Sequence, residues 1–180
     1  NKGGITSLST DGTDIYGTGF AYGTGGTFEG SFSAKPSDGS LNWVADCLGD
    51  TYSGYATGDV YYSVSHAHNC SAIGSFPDTN PRVRWQHSLA FTKEPRGTNK
   101  GPDVYGWNYN GQPAPAMLHW FPTWATGQAS GQSQAGWAIN GDSRYVTVAG
   151  EFPAVNGSAQ QGLVRFGIGA QARKTLGPTY

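Results

Sequence analysis

Hydrophobic positions along this chain come in short runs. Val, Thr, Tyr, Trp and Phe alternate with small polar residues for a few positions, and then Gly, Pro or an Asp-Gly or Asn-Gly pair breaks the run. Breaks this frequent leave no room for long helices. The residues between them are those that fit a pleated, half-buried surface. The pattern predicts an all-β chain of short antiparallel strands.

The runs repeat. Residues 5–19, 51–65 and 134–150 each read as a strand, a tight turn and a second strand, with Asp11-Gly12, Thr57-Gly58-Asp59 and Asn140-Gly141-Asp142 in the turns. Such pairs supply the positive φ angles that short hairpins need. A third strand follows each hairpin, at 30–34, 87–92 and 162–166. In the first two copies the sequence then predicts a turn, at 35–39 and 93–97. A fourth strand follows, with the shared pattern Leu41-Asn-Trp-Val44 and Leu118-His-Trp-Phe121. Four antiparallel strands per unit, repeated along the chain, are what a β-propeller blade looks like in sequence. The expected organisation is one segment over 1–180, with blades at about 5–46, 51–124 and 134–168 and a C-terminal tail. The second blade carries a loop insertion at about 98–116. About three blades cannot close a ring, so the remaining blades are expected from the same longer chain or from neighbouring chains. A β-sandwich is the alternative fold.

Composition narrows the setting. Only 13% of the 180 residues are charged, against 13% aromatic and 28 glycines. That charged share is roughly half the usual one. The formal net charge of −1 gives no global field for nucleic acid. Arg82, Arg84, Lys93, Arg96 and Lys100 read as a solvated rim. No apolar run reaches the roughly 20 residues of a spanning helix. The opening Asn1-Lys-Gly-Gly4 without Met reads as a processed or trimmed terminus. Two cysteines, Cys47 and Cys70, in a chain rich in Gly, Ser, Thr and Trp and poor in Lys and Glu, read as one disulfide of a secreted protein. The alternative is a pair of buried free thiols. Asn69-Cys-Ser71 and Asn156-Gly-Ser158 are formal glycosylation sequons.

Part of the chain resembles a known repeat. Arg144 to Gly157, with Gly150-Glu-Phe152 and Val155-Asn-Gly157, followed by Gln161-Gly-Leu-Val-Arg-Phe166, is similar to the delta-sixty repeat of bacterial propellers. Trp43-Val-Ala-Asp-Cys-Leu-Gly-Asp50 and Ser65-His-Ala-His-Asn-Cys70 resemble uncharacterised secreted propellers of Gram-positive bacteria. The first two copies lack the Val-Asn-Gly element. The resemblance implies a fold and an extracellular location, and no reaction.

If blades alternate as expected, the loops between second and third strands and those leading into the next blade share one face. That face gathers Asp46, Cys47, Asp50, His66, His68, Cys70 and His87, with Glu29 and Glu151 in comparable positions and His119 toward the end of a fourth strand. His66 and His68 are two apart and share a side of their strand. Three readings follow. With His87, Asp46 or Asp50, these histidines hold a metal, zinc or another divalent ion, in a metal-dependent hydrolase. Alternatively they line a carbohydrate-binding groove with Tyr52, Trp85, Trp107 and His119. In the third reading they are hydrogen-bonded packing residues. Asp46 and Asp50 also fit a glycoside-cleaving pair, although acids four apart in a turn-rich loop are commonly turn formers. No Gly-x-Ser-x-Gly elbow, His-Glu-x-x-His or phosphate loop is present. The glycines at 17–27 are turn material. The expectation is an extracellular binding or scaffold module for carbohydrate or cell-surface material, with the hydrolase as the alternative.

Overall fold

The structure, a computed structural model, describes residues 2–23 and 25–172. Asn1, Thr24 and the last part of the expected C-terminal tail, 173–180, lie outside the described residues. The protein is all-β. Strands β1 (Gly3–Thr10), β2 (Ile15–Ala21), β3 (Gly30–Ala34) and β4 (Leu41–Asp46) form one antiparallel sheet in that order. Strands β5 (Thr51–Thr57), β6 (Val60–Ala67), β7 (Gln86–Thr98) and β8 (Pro113–Met117) form a second with the same topology. A two-residue β9 (Trp124–Ala125) precedes the third unit. There β10 (Gly136–Gly141), β11 (Tyr145–Gly150) and β14 (Leu163–Gly167) make a three-stranded sheet. Strands β12 (Ala154–Val155) and β13 (Ser158–Ala159) form a small hairpin that pairs with β9. Among the described residues the only helical pieces are single 3-10 turns at Ser71–Ile73 and Gly169–Gln171.

The turns follow from side-chain chemistry. Asp11 accepts the amides of Thr13 and Asp14 at 2.9 Å each and so closes β1 onto β2. Asn156 (φ 50°) and Gly157 (φ 77°) both adopt left-handed backbone between β12 and β13. This is the two-residue hairpin turn whose twist matches that of the strands it joins. The second sheet departs from expectation. Residues 93–97 do not turn: β7 runs on to Thr98, with its register shifting around Pro95. The fourth strand is accordingly 113–117 rather than 118–121, and the inserted loop is 99–112. Proline has no amide hydrogen for the ladder, so it sits at bulges and on edge strands. Pro95 lies at such a register shift, and Pro113 and Pro115 lie on β8, the last strand of its sheet.

The sheets pack on one another in chain order. Between the first and second sheets, Tyr16 and Trp43 meet Tyr61, Leu89 and Phe91 in one core. Tyr16 stacks on Tyr61 at 5.2 Å between ring centres, and Trp43 meets the same ring edge-on at 5.5 Å. The Trp43 indole donates to the Lys93 carbonyl at 2.6 Å, so its polar atom is satisfied within the core. On the other side, Val64 of β6 joins Ile139, Val146, Val148 and Val164. Cys47 and Cys70 form a disulfide between the connection after β4 and the loop after β6, in agreement with the pairing expected from sequence.

Candidate functional site

A cavity of about 740 Å³ opens at the end of the first two sheets where β2, β4 and β6 finish. Its wall is built from the loop after β2, the β4–β5 connection, the loop after β6 and the inserted 99–112 loop. A glycine makes the junction possible. A Cβ on Gly49, at φ +112°, would stand 2.4 Å from the His66 carbonyl oxygen. Only a bare Cα lets the β4–β5 connection approach β6 this closely. The Asp50 amide then reaches His66 Nε2 at 3.2 Å, and the Gly49 amide donates to Glu29 Oε2 at 2.6 Å.

His66 and His68 both line the cavity, and both are engaged by the protein. His66 Nε2 accepts from Asp50, so the neutral ring carries its proton on Nδ1, facing the Tyr52 hydroxyl at 2.7 Å. Burial holds its pKa below the usual histidine value. His68 Nδ1 lies 3.1 Å from Asp78 Oδ2, and Nε2 lies 3.5 Å from the Tyr105 hydroxyl. The distance to Asp78 would fit an ion pair. Burial first, and then the Arg82 charge, push His68 down to about 4. The contact is therefore a neutral N–H donated to a carboxylate at physiological pH. Asp78 also takes the Arg82 guanidinium, at 2.7 Å from the terminal nitrogen and 3.0 Å from Nε. His68, Asp78, Arg82 and Tyr105 thus form a continuous polar rail.

Glu29 also lines the cavity and is almost fully buried. Burial pushes its carboxyl up to about 7, with Asp50 and Asp103 adding repulsion. Asp50 is shifted the same way, by burial. The aromatic side of the cavity comprises Tyr22, Trp85, Tyr105 and Trp107. Tyr22 is 74% exposed, and Trp85 and Tyr105 are each 46% exposed. A second cavity, of about 380 Å³, shares His66 and Trp85 with the first and adds His87, Thr126 and Gln134.

The structure thus brings Asp50, His66, His68, Trp85 and Trp107 to one cavity and places His87 in the adjoining one. Tyr52 touches the site only through His66, its ring lying 4.5 Å from that of Trp137. His119 packs edge-on against Phe121, outside both cavities. Asp46 is buried and lines neither cavity; the charges that act on it are those of Asp103 and Glu29. The zinc set expected from His66, His68, His87, Asp46 and Asp50 is not assembled. Among the described residues no three His, Cys, Asp or Glu side chains converge as metal ligands. Sequence alone puts Glu29 on the expected face but gives it no role. It also reads Arg82 as rim, and nothing in it marks Tyr22 or Tyr105.

No known protein family matches the chain, and no curated protein or solved structure does either.

Proposed function

We propose that this chain is part of a secreted β-propeller of the delta-sixty kind and that its cavity binds carbohydrate, either free or on a cell surface. The observation that carries the reading is the pairing of exposed rings with a charged polar wall. Tyr22, Trp85 and Tyr105 leave large apolar faces in water around Glu29, Asp50 and Arg82. Exposed rings beside convergent polar groups mark binding sites more than chance surface. A pyranose offers the complement, a C–H face for a ring and hydroxyls for carboxylate and guanidinium. The repeated four-stranded units, their stacking in chain order and the Val155-Asn-Gly157 hairpin support the propeller reading. The disulfide fits an oxidising compartment. Among the described residues no helix is long and apolar enough to cross a membrane.

The test is a panel of soluble bacterial and plant polysaccharides and their oligosaccharides, screened by calorimetry with wild type and Trp85→Ala. Saturable binding to at least one, weakened about tenfold or more in the variant with an unchanged melting temperature, is expected, since an aromatic anchor carries about 1.4 kcal/mol or more. Binding to none of the panel, or binding indifferent to Trp85, would overturn the reading.

A further inference from the structure

A second group of side chains lies apart from the histidines. Asp46, the last residue of β4, is 2% exposed, and neither carboxylate oxygen has a hydrogen-bond partner. Asn99, the first residue after β7, is 1% exposed. Its Nδ2 donates to the Val44 carbonyl at 2.9 Å, two residues before Asp46, and its Oδ1 is buried without a partner. Asp103 accepts the amides of Tyr105 and Trp107 on Oδ1, at 2.8 and 3.0 Å, while its Oδ2 is buried and unpaired. Asp103 is the first charge to act on Asp46, and both act on the Tyr109 hydroxyl. The loop that supplies Asn99 and Asp103 is tied to the β2–β3 connection by Tyr109, whose hydroxyl donates to the Thr27 carbonyl at 2.8 Å.

Four buried acceptor oxygens on three neighbouring side chains, with no donor, are an expensive arrangement. Each orphaned acceptor costs about 1–3 kcal/mol, and a charged one costs more. Native interiors rarely leave such atoms alone, and a bound ion is one way in which they are satisfied. Among the described residues no lysine or arginine pairs with Asp46 or Asp103. The donors are all oxygens, from carboxylate and amide, with no imidazole or thiolate. That set suits a hard cation with flexible, high coordination, and calcium more than zinc. Only two members are acidic, so it is a different kind of site from a zinc triad.

We propose that Asp46, Asn99 and Asp103 hold a calcium ion that fastens the 99–112 loop to the end of β4. The remaining positions fall to main-chain carbonyls and water. The loop carries Tyr105 and Trp107, so the ion shapes the cavity wall without touching a cavity ligand.

The test needs no carbohydrate. The protein is stripped with EGTA and titrated with CaCl2 by calorimetry, and its melting temperature is followed with and without the ion. The same is done for Asp103→Asn and Asn99→Ala. One calcium per chain, a higher melting temperature with calcium, and an affinity at least tenfold weaker in Asp103→Asn are expected. Asp103→Asn keeps the turn-forming oxygen, so its melting in EGTA should match wild type and show that it folds. Calcium-indifferent melting of wild type, no binding at millimolar calcium, or binding equal in both variants would overturn the site. Carbohydrate binding failing while calcium binds would leave this site standing and remove only the cavity reading.

Discussion

Trp43 shows how much one side chain carries here. It has no exposed surface, meets Tyr61 edge-on and satisfies its indole nitrogen on Lys93. It thereby joins the fourth strand of one sheet to the third strand of the next. Replacing it leaves a cavity that flanking rings cannot fill and an unpaired Lys93 carbonyl. Trp43→Ala should lose about 3–5 kcal/mol in urea unfolding, the usual range for a buried aromatic. A loss under about 1 kcal/mol would mean that the two sheets do not share this core. His66 is a different case, because its environment determines its proton. Both ring nitrogens are occupied by Asp50 and Tyr52, so its role in the cavity is that of a fixed wall. In sequence, His66-x-His68 points to metal, ligand or packing alike. The deciding partners, Tyr52, Asp78 and Tyr105, lie 14, 10 and 37 residues away.

At the scale of the element, the disulfide joins a connection and a loop that have little regular structure of their own. The Cys47–Cys70 bond closes a 23-residue separation. Loop-closure entropy gives such a link about 3 kcal/mol. Cys47→Ser/Cys70→Ser should lower stability by about that amount and make the 68–85 loop, with Arg82 and Trp85, the first site of proteolytic cutting. Equal protease resistance would show that packing alone fixes that loop. Elements are legible in the sequence where turn chemistry is local. The Asp11-Gly12 turn declares itself, and strands β1 to β4 follow the expected pattern. The second sheet is harder to read, because Pro95, Pro113 and Pro115 look like loop residues in sequence. They lie in strands only because a register shift and an edge position leave their missing amides without consequence. The aspartates show the same limit. Asp46 and Asp50 sit four apart, yet Asp46 ends a strand facing inward while Asp50 follows Gly49 into the cavity. No spacing rule separates those two fates, and Tyr22, Arg82 and Tyr105 reach the cavity only through the folding of long loops.

For the whole molecule, opposed titrations shape stability against pH. Glu29 is raised to about 7 by burial, so the folded state holds its proton more tightly than the unfolded chain does. That contribution is full below the usual glutamate pKa of about 4.5 and is lost as pH rises through 7. His68 runs the other way. It is lowered to about 4, so its contribution is full above about 6.5 and is lost as pH falls toward 4. Glu29→Gln keeps an oxygen for the Gly49 amide and removes only the first of these. Relative to the variant, wild type should therefore lose melting temperature between about pH 4.5 and 7, measured in EGTA so that metal binding does not intrude. A difference that stays flat across that window would mean that Glu29 ionises normally.

The stacking of sheets in chain order also has a meaning in time. A chain made or exported from its N-terminus presents β1 to β4 before β5 to β8. Tyr16 and Trp43 then face water until Tyr61, Leu89 and Phe91 emerge to cover them. The face of β1 to β4 that carries Tyr16 and Trp43 is thus a waiting template, open to wrong partners until the second sheet arrives. Cys47 must likewise remain a free thiol until Cys70 arrives. The second sheet then meets a surface already built.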